Sequence, residues 1–228
     1  MPRFSVIVPC LDAADTLSDT IASLTAQSFG DWECLLVDGG SRDGTAQIIA
    51  RAAAADPRFH ALAAPAGGPG AARNLAVGEA RGEIIAFCDA GDQWLPGKLA
   101  ALDTAFADPA TDAAYGRVAF FDGQETRAVS VLPRGPLDIA ALMGANPVCT
   151  LSNVALRAGI FRDSGGFDES LSHGEGLEWL VRLAGSRTRF TAIPWTLVMQ
   201  RIGEPRRSRD IAALCRGRAA ACAAAARD

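Results

Sequence analysis

Lysine is almost missing from this chain of 228 residues: Lys98 stands alone, and arginine carries the rest of the positive charge. Histidine occurs twice. The six cysteines (Cys10, Cys34, Cys88, Cys149, Cys215 and Cys222) form no CxxC pair and have no histidine beside them, which removes the usual zinc spacings. Several lie in apolar, strand-like stretches, where a free cysteine behaves as a small hydrophobe. No apolar run approaches the ~18 residues of a membrane span. The first such run, FSVIVP, is short for a secretory signal and is broken by Pro9, so the expectation is a cytoplasmic protein. A net charge of -4 argues against a general nucleic-acid binder. There is neither a Pro/Ser-rich linker nor an internal repeat.

What is present is an alternation of apolar strands and helical periodicity. Residues 3–9 read as a strand, and Asp15 to Gln27 carries Leu17, Ile21 and Leu24 at helical spacing. Trp32 to Val37 is a second strand, closed by Asp38. The turn GGSRDGT leads to the helix AQIIARAAAA, with Asp43 and Thr45 as cap candidates. Arg58 to Leu62 is a third strand. The loop AGGPGAARN opens a helix through about Ala80, and EIIAFC is a fourth strand closed by Asp89. Near-continuous apolar strands separated by helices imply a parallel sheet covered on both faces. The fold class is therefore α/β, a Rossmann-like, mostly parallel sheet flanked by helices. In such sheets ligands bind at the carboxyl ends of the strands, where Asp38 and Asp89 both fall.

The second half is mixed. AAYGRVAFFD and TRAVSVL look like paired strands, Leu137 to Met143 a short helix, PVCTLSNVALR a strand, GEGLEWLVRLAG an amphipathic helix, and TRFTAIP and TLVMQRI the last strands. An alanine-rich helix with Arg216, Arg218 and Arg227 ends the chain. We expect one domain over residues 1–228, its ligand-binding half at 1–107 and its mixed half with the C-terminal helix at 108–228.

Three blocks resemble a known family. FSVIVPCLDAADTLSDTIASLTAQSFGDWECLLVDGGSRDGT, AARNLAVGEARGEIIAFCDAGDQWLPGKL and GGFDESLSHGEGLEWLVRLA are similar, in order and spacing, to the blocks of family 2 glycosyltransferases with the GT-A fold. The resemblance implies an inverting transfer of a sugar from a nucleotide-sugar donor to a hydroxyl acceptor, saccharide or lipid-linked, in polysaccharide or glycolipid synthesis. It also implies Mg²⁺ or Mn²⁺ as cofactor. The donor would lie across Pro9, Asp12, Asp38, Arg73 and Asp89, with Asp89 and Asp92 holding the metal. Glycines stand at four positions that are often polar in the family: Gly39, Gly91 in the acidic motif, Gly176 at the usual base, and Gly203. Glu175 becomes the catalytic-base candidate, with His173 second and Asp168 and Glu178 behind.

Simpler readings stay open beside these. Asp38 and its turn suit a strand-to-helix connection, and Asp89 and Asp92 suit a cap before the WLPGKL segment. Arg73 alone would read as a solvated helix arginine, and Lys98 is expected to face solvent. Glu175 is equally a surface carboxylate favoured at a helix start. The glycine-rich loop by itself is weak support for a phosphate cradle. The tail's arginines suit peripheral contact with anionic headgroups at the inner face of the membrane, or simply water. A non-catalytic nucleotide-sugar binder that has lost its base is the alternative function, and a nucleotidyltransferase a third.

Overall fold

The computed structural model describes residues 1–65, 67–123, 125–202 and 211–226, with the side chains of 211–214 outside the description. Gly203 and Arg227 therefore lie outside the described residues. The first half alternates as its apolar pattern requires: β1 (Phe4–Cys10), α1 (Leu17–Thr25), β2 (Trp32–Asp38), α2 (Thr45–Ala55), β3 (Phe59–Ala63), α3 (Gly68–Glu79) and β4 (Ile84–Phe87). Next come β5 (Gln93–Trp94), α4 (Lys98–Phe106), β6 (Ala113–Phe121), β7 (Thr126–Val129) and α5 (Ile139–Met143). A 3-10 turn (Leu151–Asn153), β8 (Ala155–Arg157), α6 (Ala158–Asp163), α7 (Glu175–Gly185), β9 (Phe190–Arg201) and α8 (Ile211–Ala225) complete the order.

One sheet joins both halves in the order β3-β2-β1-β4-β8-β6-β9-β5, with β7 paired to β6. The four N-terminal strands are parallel, as expected of an α/β fold. Beyond β4 the pairing is mixed: β8 runs antiparallel to β4 and β6, while β6 and β9 are parallel. Successive side chains of β1 point to opposite faces. Phe4, Val6 and Val8 enter one apolar cluster with Leu17, Leu24, Leu99 and Leu102, and Ile7 enters a second with Phe87, Trp179 and Leu180. Full burial of each such side chain contributes about 1.5–3 kcal/mol. In the second cluster Phe87, Phe161, Phe167 and Trp179 meet ring to ring, with Phe167 and Trp179 centroids 4.7 Å apart. That cluster locks the turn before α7 onto the end of β4.

Three sequence expectations change. PVCTLSNVALR is not one strand: only Ala155–Arg157 pairs, and the preceding residues coil through the 3-10 turn, capped where the Thr150 hydroxyl accepts from Ser152 N. TRFTAIP and TLVMQRI are a single strand, β9, running through Pro194 with a register shift against β6. Lys98 does not face solvent; it is fully buried at the first position of α4. No helix among the described residues is long and apolar enough to cross a membrane.

Candidate active site

Cys10 pairs with Asp38 across β1 and β2, and Ile7 with Phe87 across β1 and β4. Asp38 and Asp89 thus end strands on either side of β1, at the carboxyl edge of the sheet. Two groups of carboxylates form there.

The first ties the β1–α1 and β2–α2 loops together. Asp38 Oδ1 accepts from Ser41 N at 3.0 Å and from Ser41 Oγ at 2.6 Å. Asp12, in the left-handed region at φ 47°, accepts from Arg42 N at 2.7 Å, while its own N–H donates to Ser41 Oγ. Asp43 accepts from Ala14 N and from Thr45 N and Oγ1; the Thr45 hydroxyl, then the Ala14 amide, hold its carboxyl below the usual range. Pro9 sits in β1 opposite Val37 and has no amide proton to give the sheet. These carboxylates hold turns as the simpler reading expected, but they also shape the rim of the sheet edge.

The second group is a relay of side chains. Arg73, on α3 and 4% exposed, donates from Nη2 to Asp89 Oδ1 at 2.6 Å and from Nη1 to Glu175 Oε1 at 2.8 Å. Its guanidinium also lies 5.5 Å from the Phe167 ring. Burial alone would lower the Arg73 pKa, but the two carboxylates outweigh it and keep the charge in place. Arg73 is thus no solvated helix arginine. One glycine before it serves packing: a Cβ at Gly70 would meet Phe167 Cβ at 3.3 Å and Glu175 Cγ at 3.6 Å, so glycine lets α3 approach the start of α7.

Asp92 is arranged differently from Asp89. It is 1% exposed, takes Ser152 Oγ at 2.6 Å and Thr150 Oγ1 at 3.3 Å on Oδ2, and Arg201 N at 3.2 Å on Oδ1. Thr20 Oγ1 accepts from Gly91 N and donates to the Asp92 carbonyl, and Ser152 Oγ accepts from Asp89 N. Arg201 Nε adds a bond to the Gly91 carbonyl. Asp92 therefore sits inside a loop-holding network, whereas the Asp89 side chain keeps 33% exposure. Thr20, Thr150, Ser152 and Arg201 were missed in the sequence; they lie up to 109 positions from Asp92, and no local motif announces them.

Arg73, Asp89, Thr150, Leu151, Glu175 and Gly176 line part of a cavity of about 270 Å³. A larger hollow of about 830 Å³ lies at the opposite edge of the sheet, near Arg3, Glu83 and Arg157. Three of its charges are spent on one another, Arg3 and Arg157 both pairing with Glu83. Strand topology places ligands at the carboxyl edge, so the smaller cavity is the candidate site.

The other candidates are placed elsewhere. Asp168 caps its own turn through Ser170, and Glu178 pairs with Arg182 on α7. His173 is half-buried beside Ser172, and it is absent from the cavity lining. At Gly176, a Cβ would meet Leu151 Cδ1 at 2.9 Å, so Leu151 fills the space a carboxylate there would need. Gly91 has φ 115°, a conformation L side chains avoid. At Gly39 a Cβ would meet only Cys10 O at 3.4 Å and Leu11 Cδ1 at 3.9 Å.

The donor set bears on a divalent cation. Among the described residues no group of three or more His, Cys, Asp or Glu is arranged to hold one. Mg²⁺ is commonly held by one or two carboxylates, with substrate phosphates and water completing its shell. Asp89, partly exposed at the cavity with Oδ2 only 3.4 Å from Thr150 Oγ1, fits that single-carboxylate role. Asp92, sealed behind two hydroxyls and a backbone amide, fits it only if that network opens.

Comparison with known proteins agrees with this layout. The family described as Glycosyl transferase family 2 matches residues 5–165. The putative teichuronic acid biosynthesis glycosyltransferase TuaG of Bacillus subtilis is 38% identical over 99 residues, covering 43% of this chain and 39% of its own. The solved structure of S. aureus TarS 1-349 superposes with TM-score 0.73 at 21% identity, over 87% of this chain and 60% of that one; the same fragment was also solved with UDP and with UDP-GlcNAc. A mannosyltransferase, PcManGT from Pyrobaculum calidifontis, solved with GDP-Man and Mn²⁺, gives TM-score 0.67 at 22% identity, over 90% and 58%. The fold is the GT-A fold of these enzymes. The chain spans about two-fifths of the length of TuaG.

Proposed function

The chain belongs to glycosyl transferase family 2, and from that membership we propose that it is an inverting glycosyltransferase acting in polysaccharide or glycolipid synthesis. A sugar would pass from a nucleotide-diphosphate donor to a hydroxyl of a saccharide or lipid-linked acceptor. One observation carries the reading: Arg73 bridges Asp89 and Glu175 beside a cavity at the carboxyl edge of the sheet. We further propose that residues 1–228 act as one domain, with 1–107 holding the donor and 108–228 facing the acceptor.

The residues divide the work as follows. Pro9, Asp12 and Asp38 form the rim along which the nucleotide lies. Arg73 meets the diphosphate, whose negative charge grows as the sugar bond breaks. A cation at Asp89, Mg²⁺ or Mn²⁺, would supply charge neutralisation of that leaving group. The acceptor hydroxyl attacks the anomeric carbon from the face opposite the diphosphate, and Glu175 takes its proton. In the free chain Glu175 is tied to Arg73. A phosphate competing for the guanidinium releases that carboxylate, so donor binding switches the base on.

Assays of nucleotide-sugar hydrolysis and transfer with Mn²⁺ test this. Glu175→Gln is expected to lower turnover by roughly 10²–10⁴-fold. Asp89→Ala should abolish the Mn²⁺ response, while Asp92→Ala should act mainly through stability. Equal rates for wild type and Asp89→Ala would remove the cation role. A second reading, a nucleotide-sugar binder without turnover, rests only on the Leu151 side chain packed where a base at position 176 would stand. Donor binding with no transfer to any acceptor would select it. We place the protein in the cytoplasm, at the inner membrane face when its acceptor is lipid-linked; exposed Arg216 and Arg218 on α8 suit that contact.

A further inference from the structure

We propose that the cavity of about 270 Å³ is a subsite for one neutral monosaccharide ring, with Asn146 and Gln200 reading its hydroxyls. The inference rests on the nucleotide-sugar reading above and names the two residues that would set sugar specificity. Among the described residues five buried side-chain nitrogen or oxygen atoms lack a hydrogen-bond partner: Trp32 Nε1, Arg73 Nε, Lys98 Nζ, Asn146 Oδ1 and Gln200 Oε1. Neither Trp32 nor Lys98 lines either of the two cavities. The other three all belong to residues lining this one cavity. Buried polar groups are nearly always paired, so three orphans around one cavity call for a ligand.

Their chemistry limits that ligand. Arg73 Nε is a donor, and the two amide oxygens are acceptors. A diphosphate taken by the Arg73 Nη atoms would still leave Nε and both amide oxygens without partners. An apolar ring would satisfy none. A hydroxyl both donates and accepts, and it suits a side-chain amide whichever way the amide is turned. The volume lies just below the ~300 Å³ lower end of ordinary ligand pockets, which suits one ring rather than a whole nucleotide-sugar.

The supporting backbone is fixed. Asn146 (φ 39°) and Cys149 (φ 67°) are both left-handed, and Cys149 N closes the turn onto Asn146 O at 3.0 Å. Asn153 Nδ2 ties Val148 O to the same segment. Gln200 precedes Arg201, whose N–H holds Asp92, so that reader is coupled to the acid loop.

Calorimetric titration of the full chain tests the inference. The probes are UDP, UDP-glucose, UDP-GlcNAc, GDP and GDP-mannose, with Mn²⁺. The variants are Gln200→Leu and Asn146→Gly, the latter keeping the left-handed backbone. If the ring belongs to the donor, one nucleotide-sugar binds more tightly than its bare nucleotide. Each variant then loses about tenfold of that gain, as expected for one lost hydrogen bond, while the bare nucleotide binds within about twofold of wild type. If the ring belongs to the acceptor, methyl glycosides of the same sugars bind the chain alone, and the variants lose that binding instead. Variants that keep every wild-type sugar response overturn the inference, as does a wild type that binds nucleotide but no sugar in either form. A wild type that binds glycosides but no nucleotide sinks the transferase reading and leaves the subsite standing; one that binds neither sinks both.

Discussion

The two carboxylate groups at the sheet edge are built by opposite means. Asp12, Asp38 and Asp43 are held by backbone amides and hydroxyls of the two loops they sit in. Asp89, Asp92 and Glu175 are held by side chains and amides from distant segments: Arg73, Ser152, Thr150 and Arg201. The first group is fixed once its turns form and remains at the rim. The second exists only when α3, α7, β9 and the segment before β8 have all packed. The geometry of the second group is therefore a product of tertiary folding, and disturbance of the core should be felt there first.

Arg73→Met is the severest break of that contrast. It leaves Glu175, a tenth exposed, facing Asp89 without the cation between them. Removing one partner of a buried charge pair costs about 3–5 kcal/mol; the third of Asp89 in contact with water puts the expected loss at about 3 kcal/mol. Urea denaturation would read it, and donor binding should vanish. Arg73→Lys should recover part of the stability, since one ammonium cannot span both carboxylates as the fork does. A midpoint unchanged in Arg73→Met would mean the relay is no more structural than the loop turns.

Lys98 shows how the network's underside is exposed to pH. Burial pushes its pKa from 10.5 down to about 7, a shift the Cys88 thiol beside it opposes only weakly. The groups facing this region are Cys88, itself raised by burial, and behind it Asp92 and Asp89. Between pH 7 and 10.5 the unfolded chain holds a proton that the folded chain has released, so folding stability rises with pH across that window. Below pH 7 the full penalty remains. Lys98→Met, similar in volume, should remove it and stabilise the chain at pH 6–7 by about 2 kcal/mol, after allowance for the lost contact with the Trp94 ring. The gain should shrink toward pH 8.5, before the buried thiols add a slope of opposite sign. Parallel melting curves for the two proteins from pH 6 to 8.5 would show that Lys98 is not penalised.

The same contrast explains what the sequence disclosed. The parallel half was legible because its strands are buried on both faces and end in turn-forming Gly, Ser and Asp. PVCTLSNVALR looked like a strand because its composition is apolar, yet Thr150 and Ser152 were wanted by Asp92, and that demand bends the chain. Lys98 looked exposed because lysine usually is. Nothing nearby reveals that it is fully buried, with its ammonium over the Trp94 ring and beside Cys88. Glu175 was found through resemblance, but its tie to Arg73, 102 positions away, had no local signature.

The glycines at often-polar positions sharpen the comparison at smaller scale. Gly176 lies in the tertiary group, against Leu151. Gly176→Asp must displace that side chain and should cost about 1–2 kcal/mol, an overpacking effect readable in the thermal midpoint. Paired with Leu151→Ala, which opens the space, the added carboxylate should cost less than in the wild-type background. Additive losses would show that Leu151 is not what keeps position 176 small.

Gly39 lies in the loop group, where a new side chain meets only the Cys10 carbonyl and the end of Leu11 at ordinary contact distances. Its φ is not in the left-handed region, so an L residue is unstrained there. Gly39→Asp, at a half-buried loop position, should leave stability within about 0.5 kcal/mol, the usual range for a surface substitution away from special features. If the rim binds a nucleotide, the added carboxylate gives the base and ribose a new acceptor, and affinity for UDP relative to GDP should change by several-fold. A Gly39→Asp chain that is markedly unstable would contradict the open space seen beside Leu11. One that is stable but unchanged toward both nucleotides would move the nucleotide off this rim and leave the distant-partner group to hold the donor alone.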